Sequence, residues 1–150
     1  MELKQAKMIA QDFLKEFETF FIKSEVCGSI RRECQEVNDI DIVVISKDGF
    51  IEHLKARYGL SMQGNKILRF VYKKTDFDVY LATNDNFEVL RLIRTGSAQH
   101  NIKLCSTAKR KGMKLKANGE GLILADGTAV KTERAILETL LGKYIEPKDR

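Results

Sequence analysis

Only three of the 150 residues are cysteine and only one is proline. Cys27, Cys34 and Cys105 are odd in number and lack the paired spacing of a zinc site, which argues against both a disulfide framework and structural zinc. All three are expected as reduced thiols. The solitary Pro147, with no internal repeat and no low-complexity tract, leaves no Pro-rich linker. No stretch approaches the ~18 consecutive apolar residues of a membrane-spanning helix. Met1 to Gln11 mixes charged with apolar residues where a secretory leader would separate them. The expectation is a soluble intracellular protein with no membrane partner, in the cytoplasm or, for a viral chain, in the host cell or virion. At this length the chain can form one domain or two small lobes around a real core.

Charge is plentiful but unevenly placed. The formal net charge is +5. Residues 1–90 carry 13 Lys/Arg against 15 Asp/Glu, a net −2, whereas residues 91–150 carry 13 against 6, a net +7. An acidic part followed by a basic part suits a polyanionic partner, because neutralised phosphates release counterions. Lys109, Arg110, Lys111, Lys114 and Lys116 are the densest basic group, and they serve equally well as a solvated face.

The most informative stretch is VCGSIRRECQEVNDIDIVVI, residues 26–45. Side chains of a strand alternate faces, so Asp39 and Asp41 project from one side about 7 Å apart at Cα, and Ile40 and Ile42 from the other. Two ionised carboxylates so close repel each other unless a cation collects their charge. Hard oxygen ligands of this kind suit magnesium, which fills the rest of its shell with water and substrate phosphates. Just upstream, Gly28-Ser29 lets backbone N–H groups approach a phosphate, and Arg31 and Arg32 can add charge-assisted contacts to its oxygens.

Around this stretch the apolar spacing predicts a helix over 3–22, a strand near 25–27, the acid-bearing strand 39–46, and a helix capped by Asp48 that runs through Tyr58 to Gly59. His53 stands alone, with no second ligand at helical spacing. A hairpin follows, 65–73 and 75–82, with Phe77, Val79 and Leu81 on one face and Asp76, Asp78 and Tyr80 on the other. Either Asp76 or Asp78 could complete a three-carboxylate site, and their shared parity leaves both open. Helices are expected over 86–94, from the Ser97 cap to Lys111, and from Thr132 to Leu141, with short strands over 113–115 and 121–124.

The Gly-Ser turn, Asp-x-Asp before an apolar run, a later acid, and RTGSAQHNIKLCSTAKRKGMKLKANGEGL together resemble the nucleotidyltransferase superfamily that includes DNA polymerase beta, specifically the family X DNA polymerases. The likeness extends over about residues 24–150, to the tail YIEPKDR. It implies an α+β fold: a nucleotidyltransferase palm over 1–86, with a twisted mixed sheet and helices, and a small helix-and-hairpin lobe, the thumb, over 87–150. It implies a DNA-directed DNA polymerase that adds dNTPs to a primer 3′-hydroxyl, in short-gap repair synthesis, on primer-template or gapped DNA. Two Mg2+ ions, replaceable by Mn2+, are implied at Asp39, Asp41 and Asp78. The apolar-Asp-apolar pattern of the family selects Asp78 over Asp76. Gly28, Ser29, Arg32, Gly96 and Asn101 are implied as nucleotide contacts, and Lys109 to Lys116 as DNA contacts, in a monomer. The upstream DNA-binding segments of larger members find no room in 150 residues. Two positions depart from the pattern: Ile93-Arg94 stands where an aromatic pair is usual, which predicts weaker exclusion of ribose, and Cys105 stands where a template-contacting arginine is usual. The alternatives are a nucleotidyltransferase acting on another hydroxyl, of a tRNA end, a small molecule or a protein, and a non-catalytic nucleic-acid-binding remnant.

Overall fold

A computed structural model describes residues 1–150. Its first lobe is a mixed five-stranded sheet, order β1-β2-β5-β4-β3, made of β1 (Phe21–Val26), β2 (Ile40–Ser46), β3 (Met62–Gln63), β4 (Ile67–Tyr72) and β5 (Thr75–Leu81). β2 and β5 run parallel, and the other neighbours are antiparallel. Strand alternation sorts the side chains. Ile40, Ile42, Val44, Leu68, Phe70, Phe77 and Val79 face α1 (Leu3–Glu16) and α3 (Phe50–Tyr58) in the main core. Val43, Ile45 and Tyr80 face the opposite way, against Cys27, Phe87 and Leu90. Phe13 of α1 sits among the rings of Phe17, Phe70, Tyr72 and Phe77 at centroid distances of 4.8–5.5 Å. Its truncation to Ala would cost about 3–5 kcal/mol.

The expected helix over 3–22 ends early, at Glu16. Phe17 leaves helical geometry, Glu18–Phe20 form a single 3-10 turn, and Phe21 opens β1. Apolar spacing could not show this break, because Phe17, Phe20 and Phe21 all still pack on Phe50 after the backbone changes state. A second correction concerns α3. Its N-cap is Gly49, at φ 92°, and not Asp48. Three short elements had no advance signal: α2 (Gly28–Arg31), β3, and β8 (Ala129–Val130).

The second lobe contains α4 (Phe87–Thr95), α5 (Ala98–Arg110), α6 (Glu133–Leu141) and a three-stranded sheet of β6 (Lys114–Lys116), β7 (Gly121–Ile123) and β8. Ser97 Oγ accepts from the His100 N–H and Thr132 Oγ from the Ala135 N–H, so both expected caps form. Each such cap is worth about 1 kcal/mol. α4 has two apolar faces: Phe87 and Leu90 lie on the first sheet, while Val89, Leu92 and Ile93 enter the core of the second lobe with Leu104, Leu122, Ile136 and Leu137. The division at residue 87 therefore falls at the head of a helix shared by both cores.

Candidate active site

Asp39, Asp41 and Asp78 lie in the region where β2 and β5 begin to run side by side. The parallel register puts Asp41 opposite Asp78 and Ile40 opposite Phe77. Asp76 lies before the first β2 pair, beside Val71 of β4, and is exposed. Asp39 is exposed just ahead of β2, and Asp41 is half-buried. All three carboxylates are on the sheet face away from α1 and α3, and α4 covers that face only further along the strands.

Burial pushes the Asp41 carboxyl up to about 6, and the neighbouring Asp39 and Asp78 charges push in the same direction. The Tyr80 hydroxyl, 3.4 Å from Asp41 Oδ1, pulls the other way, as does the Arg94 guanidinium. Arg94 in turn lies over the Tyr80 ring, 4.2 Å from its centroid. Arg94, expected only as a departure from the usual aromatic pair, thus takes a stacked position on the aromatic ring next to the acids. On the far side, Arg69 Nε donates to Asp78 Oδ1 at 2.8 Å. No three acidic, histidine or cysteine side chains are gathered closely enough to enclose a metal ion.

The Gly28 turn stands directly over Asp41. The Cys27 N–H donates to the Asp41 carbonyl at 2.8 Å, which ties the end of β1 to the start of β2. Gly28 has φ +58°, and a Cβ there would collide with Asp41 Oδ2, so a glycine is required on two counts. Ser29 is half-exposed beside it.

The two arginines after this turn do not act alike. Arg31 Nη1 and Nη2 donate to Glu133 Oε2 and Oε1 at 2.7 and 2.8 Å, and Nη1 also donates to Thr95 Oγ1. Arg31 is therefore taken up by the second lobe and not by a phosphate. Arg32 Nη1 donates to the Thr95 carbonyl at 2.6 Å and lies 3.2 Å from where a Gly96 Cβ would be. Its other side-chain N–H groups make no hydrogen bond within the chain. Arg150 Nη1 joins Glu133 at 3.1 Å, and Arg91 Nε approaches it at 3.6 Å. Burial alone would raise the Glu133 carboxyl, but Arg31 and Arg150 outweigh it and hold Glu133 at about 2.

Asn101, near the start of α5, donates through Nδ2 to the Ile93 carbonyl at 2.8 Å and keeps a buried Oδ1 with no partner. Lys109, Arg110, Lys111 and Lys114 are exposed, and Lys116 is half-buried. Lys111 Nζ donates to the Thr139 carbonyl at the end of α6, Arg110 to Thr107 Oγ1, and Lys116 pairs with Glu120. Lys109 and Lys114 have no internal ion pair. Sequence reasoning missed Arg69, and it treated Tyr80 only as a neighbour of the acids. Tyr80 shares strand parity with Asp78, so its face was legible, whereas Arg69 depends on the β4–β5 register.

Comparison with known proteins bears on the second lobe and on the chain as a whole. Residues 90–150 match the family model of the DNA polymerase beta thumb. The DNA polymerase/3′-5′ exonuclease PolX of Bacillus subtilis (strain 168) is 29% identical over 118 residues, which cover 73% of this chain and 20% of that protein. The chain thus spans about a fifth of the length of this curated relative. No helix is long and apolar enough to cross a membrane.

Proposed function

We propose that this chain, family X polymerase-like in sequence and thumb-like over residues 90–150, is a nucleotidyltransferase that extends a DNA primer. In the reaction a primer 3′-hydroxyl attacks the α-phosphorus of a dNTP, the bond to the β-phosphate breaks, and pyrophosphate leaves. The observation that carries this reading is the set of Asp39 and Asp41 at the start of β2 with Asp78 opposite Asp41 on the adjacent β5, Asp41 lying under the Gly28 turn.

The donor chemistry fits magnesium. Three neighbouring carboxylates suit a hard divalent cation, and the Asp41 carboxyl is raised by burial and by the Asp39 and Asp78 charges beside it. Asp39 and Asp41 would hold both ions of a two-metal site, with Asp78 the third ligand of one of them. Such ions supply charge stabilisation to the attacking and leaving oxygens of an in-line displacement. The other contributions belong to the chain itself. Asp78 Oδ2, to which Arg69 donates no hydrogen bond, would accept the proton of the 3′-hydroxyl. Gly28, Ser29 and the free N–H groups of Arg32 hold the β- and γ-phosphates. Gly96 brings backbone next to the sugar, and Asn101 offers its unpartnered Oδ1 to the nucleotide. Lys109, Arg110 and Lys114 lie along the exposed end of the second lobe for the DNA backbone. Short-gap repair synthesis is the setting we assign to this activity.

Primer extension with all four dNTPs and Mg2+, with and without template, tests the reading. Template-directed products that vanish in Asp41→Asn are expected. Transfer of nucleotides to a tRNA or a small molecule, with none to DNA, would overturn it.

A further inference from the structure

Arg69 has no part in the reaction described so far, yet it makes the closest contact with the acid cluster. It sits on β4, and the antiparallel register places it directly opposite Asp78 of β5. The contact is a single charge-assisted bond, Nε to Oδ1 at 2.8 Å, and not a two-pronged fork. The Arg69 side chain is 51% exposed and that of Asp78 15%. A half-exposed guanidinium held by one bond can swing into water at small cost. Because it keeps its proton at any working pH, it always carries a positive charge to the acids. Asp78 is the one member of the three carboxylates with such a partner.

We propose that Arg69 is a resident counter-charge for the metal-free site: it holds Asp78 until a divalent cation arrives and must release Oδ1 when the ion is bound. Arg69 is then a positioning residue that competes with the metal, and it sets the metal affinity of the site. The inference rests on the reading of Asp39, Asp41 and Asp78 as metal ligands. Removing Arg69 frees a ligand and deletes one positive charge next to three negative ones, and both effects favour divalent binding.

The test is Mn2+ binding to the full chain, without DNA or nucleotide, followed by calorimetry and by the paramagnetic resonance of free Mn2+. Arg69→Ala should bind Mn2+ about fivefold more tightly than the wild type at low salt, with the gap narrowing as salt rises. Arg69→Lys, which keeps the charge, should stay near the wild type. In an Asp78→Asn background, Arg69→Ala should lose most of its effect, since the carboxylate it competes for is gone. Unchanged or weaker binding by Arg69→Ala, while Asp41→Asn and Asp78→Asn both weaken binding, would overturn the competition and leave the metal site standing. Mn2+ binding that neither aspartate substitution weakens would overturn the site itself and this inference with it.

Discussion

At the scale of single residues, the site is governed by how few side chains can stand near Asp41. Asp41→Asn removes a proposed metal ligand and should lower nucleotide addition at least a thousandfold, roughly the loss of 4 kcal/mol of transition-state stabilisation. In metal-free buffer at pH 8 the same change relieves one of three repelling charges, so the melting temperature should rise. A variant that is inactive but also less stable without metal would point to a folding defect and not a lost ligand. Gly28→Ala should be nearly as inactive, because its methyl group collides with Asp41 Oδ2 and its φ of +58° strains any L side chain. The pair Asp76→Asn and Asp78→Asn separates register from parity. Only the second should abolish extension, since Asp76 lies beside Val71, before the first paired residue of β2.

At the scale of elements, α5 and the strand after it carry the basic surface. Its five cations are not equivalent once their internal contacts are known. Lys111 is spent on the Thr139 carbonyl and Lys116 on Glu120, while Lys109 and Lys114 extend without internal ion pairs. Replacing Lys109, Arg110 and Lys111 together by Ala should make the slope of log affinity against log salt shallower by about 2, and not by the full three contacts. Fluorescence anisotropy of a labelled gapped duplex at several salt concentrations reads this slope, and an unchanged slope would turn this face away from DNA. The end of α4 revises the expectation about the sugar. Ile93 is buried in the second-lobe core, so a tyrosine there would overpack it, and Arg94 lies on Tyr80. Arg94→Phe alone is the cleaner probe. It should reject CTP relative to dCTP more strongly than the wild type in single-nucleotide insertion, measured as a ratio of kcat/KM.

At the scale of the whole molecule, the two lobes are joined by a buried charged knot and not by apolar packing alone. Glu133 of α6 is 1% exposed and receives Arg31 from the first lobe and Arg150 from the tail. Its carboxyl is held near 2, below the ordinary 4.5. A depressed carboxylate stabilises the fold fully above its unfolded value, and that contribution is lost as pH falls from about 4.5 through 2. Glu133→Gln leaves three guanidiniums around a neutral amide and should cost about 3–5 kcal/mol at pH 7. It should also flatten the acid limb of a plot of melting temperature against pH. An acid limb unchanged by the substitution would place that pH dependence in other carboxylates.

The sequence by itself determined which residues face which way. Period-two alternation placed Asp39 and Asp41 on one side of β2 and Phe77 and Val79 on the other side of β5 from Asp78, and the caps at Ser97 and Thr132 marked the starts of α5 and α6. The charge split and the Thr-Gly-Ser stretch marked the second lobe. These are local properties, set by backbone geometry within a few residues. Only the tertiary structure decided which elements become neighbours. The β2–β5 register chose Asp78 as the partner of Asp41, the β4–β5 register brought Arg69 to Asp78, and contact between the lobes diverted Arg31 to Glu133. The end of α1 at Glu16 was likewise not legible in the apolar spacing, because Phe17, Phe20 and Phe21 pack on the same core after the backbone leaves the helix. Alternation reports a face, but a shift of two residues keeps that face while changing every neighbour, so long-range pairing has to choose the neighbour.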